Sequence, residues 1–156
     1  MEIMHAFYSE KLKKFWLITS ITLLIFLVST VVNAQETYTI TGVCKVQDEG
    51  ILYIFLVDAE HFKKQMSGLQ RIVQKVELNK KRIKEIPFEF KGVVKGIYGI
   101  RCFIDKDGNS KLNYGFLGPS EPWGMSSKER LKGIPSFSDI SFKVENTVND
   151  VIIQIK

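Results

Sequence analysis

The sequence predicts an all-β fold, a two-sheet antiparallel β-sandwich of about seven strands with one short helix and a long ordered loop. Three observations carry this. Apolar and polar residues alternate with period two in at least five segments. One run, Ile51 to Val57, is apolar throughout and bounded by Gly50 and Asp58, the pattern of a strand covered on both faces. No repeat with a period of about 20 to 50 residues is visible, which excludes solenoids and propellers.

The 156 residues divide at about position 34. Lys11, Lys13 and Lys14 precede an uncharged stretch from Phe15 to Val32, and Val32 and Ala34 form a small-x-small pair before Gln35. That order reads as a secretory signal peptide over 1–34, leaving one domain over 35–156 in the periplasm or medium. The alternative is a retained anchor over residues 15–32, since an apolar stretch of about 20 residues spans a bilayer. The net charge is +5, and the basic stretch that carries much of the excess would in a cytosolic protein suggest nucleic acid, but export removes that partner. The basic stretch Lys80, Lys81, Arg82 and Lys84 then reads as a solvated turn or strand edge, where lysines discourage edge-to-edge pairing.

In the mature segment Tyr38, Ile40, Gly42, Cys44 and Val46 alternate with polar residues and predict the first strand. Ile51 to Val57 follows as the central strand, and Asp58 caps a short helix over Ala59 to Met66. Ile72 to Leu78, Ile86 to Phe90, Ile97 to Ile104, Ser141 to Glu145 and Val151 to Ile155 are the remaining strands. The last two flank the turn residues Asn146 to Asp150. Between Asp105 and Ser138 the alternation stops. The stretch concentrates glycine and proline but also holds Phe116, Trp123 and Phe137, which favours an ordered loop packed on the sandwich and makes it the place to look for a site.

Asp105, Asp107, Asn109 and Asn113 stand at positions one, three, five and nine of a loop in which Lys111 would supply a backbone carbonyl at seven, the spacing of a calcium loop. Ser110 replaces the usual glycine and Phe116 the bidentate Glu, so the alternative is a hairpin whose side chains cap their own backbone. Cys44 and Cys102 lie within strands on the parity of the apolar residues. A disulfide and two buried thiols are both open readings. Beyond His5, His61 is the sole histidine, so no Ser-His-Asp, Cys-His or histidine-rich metal site can be drawn. Asp107 with Glu121 is the carboxylate pair a hydrolase would need.

Four blocks in order, Gly96 to Ile100, Asp105 to Asn113, Gly118 to Ser126 and Pro135 to Asp139, resemble the bacterial exported proteins of the domain of unknown function 2141 family. The resemblance runs from about Tyr38 to the C-terminus. It implies a secreted or periplasmic β-sandwich of the transthyretin-like or carboxypeptidase-regulatory type, with no established activity. The family's loop opens with His-Asp and ends in Asp, whereas Ile104, Ser110 and Asn113 depart from that pattern here.

The function expected is a non-catalytic exported module that binds a protein or glycan of the cell envelope through the 105–138 loop. Trp123, Phe116 and Glu121 are its candidate contact residues. Trp123, placed between Pro122 and Gly124, is expected to pack the loop onto the sandwich with Phe116 and Phe137. The alternatives are a hydrolase using loop carboxylates and a structural envelope domain with a weak calcium-stabilised loop.

Overall fold

The computed structural model describes residues 10, 12–20, 35–64, 67–77, 83–127 and 135–156. The chain divides into two compact units, Met1–Gln35 and Glu36–Lys156. In the first, residues 12–20 are helical and exposed. Among the described residues no helix is long and apolar enough to cross a membrane. The Val32 and Ala34 pair, like Lys80, Lys81 and Arg82, lies outside the described residues.

In the second unit, alternation and β-branched residues produce seven principal strands: β1 (Thr37–Val46), β2 (Gly50–Val57), β3 (Gln70–Val76), β4 (Lys84–Val94), β5 (Gly96–Asp105), β9 (Phe142–Val144) and β10 (Val148–Gln154). Three more, β6 (Tyr114–Gly115), β7 (Gly118–Pro119) and β8 (Trp123–Met125), fall inside the stretch where the alternation stops. Two one-turn helices, Ala59–Phe62 and Phe137–Ile140, complete the unit. Strands β10-β1-β4 form one sheet and β3-β2-β5-β8 the other, with β9 also pairing to β5.

The two sheets enclose a core in which Ile40, Cys44, Ile86, Phe90 and Ile153 of the smaller sheet meet Leu52, Ile54, Leu56, Ile100 and Ile104 of the larger. Each fully buried aliphatic or phenyl side chain contributes about 1.5–3 kcal/mol. The odd-numbered partners on β2, Tyr53, Phe55 and Val57, point to the opposite face of the larger sheet and join Phe103 and Ile140 in a second cluster. That cluster sits under the long loop and both short helices, whose Phe62, Leu112, Trp123 and Phe137 pack against it. This second cover is the physical reason that Ile51 to Val57 is apolar without interruption.

The structure departs from expectation at four places. The turn residues Asn146 to Asp150 do not close an antiparallel hairpin: β10 already begins at Val148 and runs parallel to β1, while β9 pairs with β5. Crossing from one sheet to the other lets Val144 and Ile153 both enter the intersheet core, and Asp150, at φ 63°, sits within β10 where its register against β1 shifts. The first helix stops at Phe62, capped by Asp58, whose carboxylate accepts the Glu60 and His61 N–H groups. Met66 lies outside the described residues. Strand β4 continues past Phe90 to Val94, aided by Gly92 at φ 68°. The long loop carries secondary structure of its own, described next.

Candidate functional site

The outer face of the larger sheet presents Arg101, Phe103 and Asp105 from alternate positions of β5, beside Tyr53 and Phe55 from β2. The Tyr53 and Phe103 rings stack at 5.0 Å between centroids and 5° between planes. Phe55 continues the stack 6.4 Å from Phe103, and the Arg101 guanidinium lies over Phe55 at 5.6 Å from its centroid. Arg101 Nη2 donates to the carbonyls of Lys64 at 2.5 Å and Ser67 at 2.6 Å, and Nη1 to that of Phe62 at 3.4 Å. Burial lowers its pKa from the ordinary arginine value, and it has no carboxylate within ion-pair distance among the described residues.

The loop closes over one side of this face. Glu121, buried between Pro119–Ser120 and Pro122, accepts the Lys106 N–H at 2.8 Å and the Asn113 N–H at 3.0 Å, so one carboxylate ties the start of the loop to its middle. Asp105 accepts the N–H groups of Gly108 at 2.7 Å and Ser110 at 2.8 Å. Ser110 adopts φ 62° where a glycine is usual, and its hydroxyl accepts a hydrogen bond from Tyr53 Oη at 2.9 Å. Asp107 accepts the Asn109 N–H and the side-chain amides of Asn109 and Asn113. Those bonds, that of Asn113 foremost, lower its pKa below the ordinary carboxylate value.

The calcium residues therefore do converge, with an unforeseen member. Carboxylate oxygens of Asp105, Asp107 and Glu121 lie within 4.8 Å of one another, and Glu121 arrives from the far side of the loop in place of a residue at position 116. Hard oxygens of this kind suit calcium. Both carboxylate oxygens of Asp105 and of Glu121, however, already receive backbone N–H groups, and Asn109 Oδ1 receives the Lys111 N–H at 2.7 Å. The loop is thus self-capped by its own backbone. A cation there would add to a turn already closed.

Beyond Asn113 the chain turns back as the β6–β7 hairpin, whose tip residues Phe116 and Leu117 are fully exposed at 102% and 96%. Strand β8 then pairs with β5 at Arg101–Phe103. Trp123 exchanges backbone hydrogen bonds with Lys156, both at 3.0 Å, which joins the larger sheet to the chain leaving β10. At Gly124 a Cβ would lie 2.6 Å from the Gln154 carbonyl oxygen, so only glycine permits this approach. The Trp123 side chain is half-buried against the second cluster together with Phe137; Phe116 takes no part in that packing. The three candidate contact residues are consequently apart in role: Glu121 is internal, Phe116 is at the hairpin tip, and Trp123 faces the sheet.

Between the hairpin, β8 and the sheet face lies a half-open recess lined by Phe55, Arg101, Phe103, Tyr114, Trp123 and Met125, with an empty volume of about 390 Å³ counted out to bulk solvent. Of the lining residues only Trp123 stood out in the sequence; Phe55, Arg101 and Phe103 lie in segments read there as strands, and Tyr114 and Met125 in the stretch read as a loop. Cys44 and Cys102 are both buried as free cysteines in the intersheet core, with the Cys102 thiol donating to the Gly124 carbonyl at 3.4 Å. Burial pushes the Cys102 thiol well above the ordinary thiol range.

The fold and its site define a β-sandwich module with an aromatic recess under a self-capped loop. The chain matches, over residues 39–152, the model of a family described as an uncharacterized protein conserved in bacteria (DUF2141), and it belongs to that family. Comparison with curated proteins finds no match, and comparison with solved structures finds none either.

Proposed function

We propose that the domain is a non-catalytic glycan-binding module of the bacterial envelope, exported by the 1–34 segment, and that the recess is its binding site. The observation that carries the reading is the recess itself, where the rings of Phe55, Phe103, Tyr114 and Trp123 line one half-open space. An aromatic face carries negative potential and attracts the weakly positive C–H groups on the flat side of a sugar ring. Engagement of the Asp105 and Glu121 carboxylates by backbone N–H groups favours binding over hydrolysis, because a general acid or base needs a carboxyl free to reach substrate.

The chain has two tryptophans, so Trp16→Phe makes Trp123 the sole indole and a reporter inside the recess. Titration of that variant with cellohexaose, chitohexaose and hexagalacturonate should change Trp123 emission for at least one of them. Tyr114 is 62% exposed, so Tyr114→Ala should weaken that binding while leaving the unfolding midpoint in place. Unchanged emission up to about 10 mM of all three sugars, weaker than any useful affinity, would refute the reading.

A further inference from the structure

Arg101 lines the recess and, among the described residues, has no carboxylate within ion-pair distance. Its surroundings account for this. The acids nearest to the segment it holds are committed elsewhere: Asp58 to His61 at 2.8 Å and Glu60 to Lys64 at 2.6 Å. On the loop side, Asp105 and Glu121 hold backbone N–H groups and Asp107 holds Asn109 and Asn113. The three carbonyls that Arg101 meets fix its plane and satisfy Nη2 and one hydrogen of Nη1, but they carry no net charge. A guanidinium has five N–H donors, so Nε–H and the second Nη1–H remain, and it stays protonated at neutral pH.

Resting on the glycan reading, we propose that the recess selects a sugar bearing a carboxylate, a uronic acid unit, with Arg101 as the counter-charge. The half-buried guanidinium lies over Phe55 at 5.6 Å and is bonded to three carbonyls, and is therefore ordered before ligand arrives. Both Nη2 hydrogens are already taken, so Nε–H and the second Nη1–H lie on different edges of the guanidinium, and each offers a carboxylate oxygen one charge-assisted bond, about twice as strong as a neutral one. The Tyr114 and Trp123 rings, the ones with exposed surface, take the flat face of the sugar ring, and Arg101 takes the group that projects from its edge. Charge complementarity thus narrows an otherwise permissive stacking surface to acidic glycans.

The test compares hexagalacturonate with its fully methyl-esterified form, which keeps the sugar backbone and removes the charge, on the Trp16→Phe chain in about 50 mM salt. Binding of the acid about tenfold or more tighter than the ester, with the difference abolished in Arg101→Gln, is the expected result. Arg101→Lys keeps the charge but loses the fixed Nε–H and Nη1–H donors, so it should retain part of the preference, and it serves as the second variant where Arg101→Gln fails to fold. Equal binding of acid and ester overturns the Arg101 proposal and leaves the glycan reading standing, as does a preference that survives both substitutions. Failure of the acid, the ester and the neutral hexaoses alike overturns the glycan reading itself.

Discussion

Asp105 and Glu121, sixteen positions apart, place their carboxylates together beneath the long loop, and each accepts two backbone N–H groups from it. The loop is therefore held from inside by acceptors contributed at its start and near its middle. This explains how a segment rich in glycine and proline keeps one conformation over the sheet.

Removing one of these acceptors should loosen the loop measurably. Glu121→Ala leaves the N–H groups of Lys106 and Asn113 without partners in a partly buried place. An unsatisfied buried donor costs about 1–3 kcal/mol, and partial access to water reduces that, so a total loss of about 1–3 kcal/mol in urea unfolding is expected. Glu121→Gln keeps one acceptor oxygen and should lose less. A loss under about 0.5 kcal/mol in the alanine variant would show that the loop does not depend on this carboxylate.

Asp107 provides a pH-dependent counterpart. Hydrogen bonds from Asn113 and Asn109 lower its pKa from the ordinary 3.8. A carboxylate depressed on folding stabilises the folded state fully above its unfolded value, and that contribution disappears as pH falls through the lower folded value. Carboxyl NMR titration should give an Asp107 midpoint below 3.8, and Asn113→Ala should move it upward. Titration at or above the ordinary value in the unaltered chain would contradict the hydrogen-bond geometry.

Most of the fold was legible because burial writes directly into period. Ile40, Cys44 and Val46 on β1 alternate with less buried neighbours and Phe88 and Phe90 on β4 with exposed ones, and those strands lie where alternation puts them. The parallel pairing of β10 was not legible, since Val151, Ile153 and Ile155 alternate identically whether the partner strand runs parallel or antiparallel. In the loop, Gly118-Pro119 and Trp123-Gly124-Met125 are too short to show a period, although backbone pairing makes strands of both. The recess escaped for a related reason. Phe55, Arg101 and Phe103 come from strands that the sequence marks only as apolar or mixed, and their meeting with Tyr114 and Trp123 depends on how the loop folds back.

The cysteines separate on accessibility. Both thiols are buried between the sheets, and burial raises that of Cys102 well above the usual range, so it is neutral and shielded at physiological pH. Reaction with a thiol reagent such as iodoacetamide at pH 8 should be negligible in the folded protein and should reach two groups per chain in urea. Rapid modification without denaturant would show that the intersheet core opens far more readily than its packing implies.

Trp123 stands at the junction of stability and binding, and its two contributions can be pulled apart. Its backbone exchanges hydrogen bonds with Lys156 and survives any side-chain change, whereas its indole is half-buried against the cluster that holds Phe55, Phe103 and Phe137. Complete burial of a large aromatic is worth about 3–5 kcal/mol on truncation, so Trp123→Ala should cost about 2 kcal/mol in urea unfolding. Trp123→Phe restores a ring to the same place and should recover most of that stability. Phe116, exposed at the hairpin tip, supplies the control, since Phe116→Ser removes no packing and should leave the midpoint unchanged. An unchanged midpoint in Trp123→Ala would mean that the indole contributes nothing to pinning β8, leaving a role in the recess as the only one for that side chain.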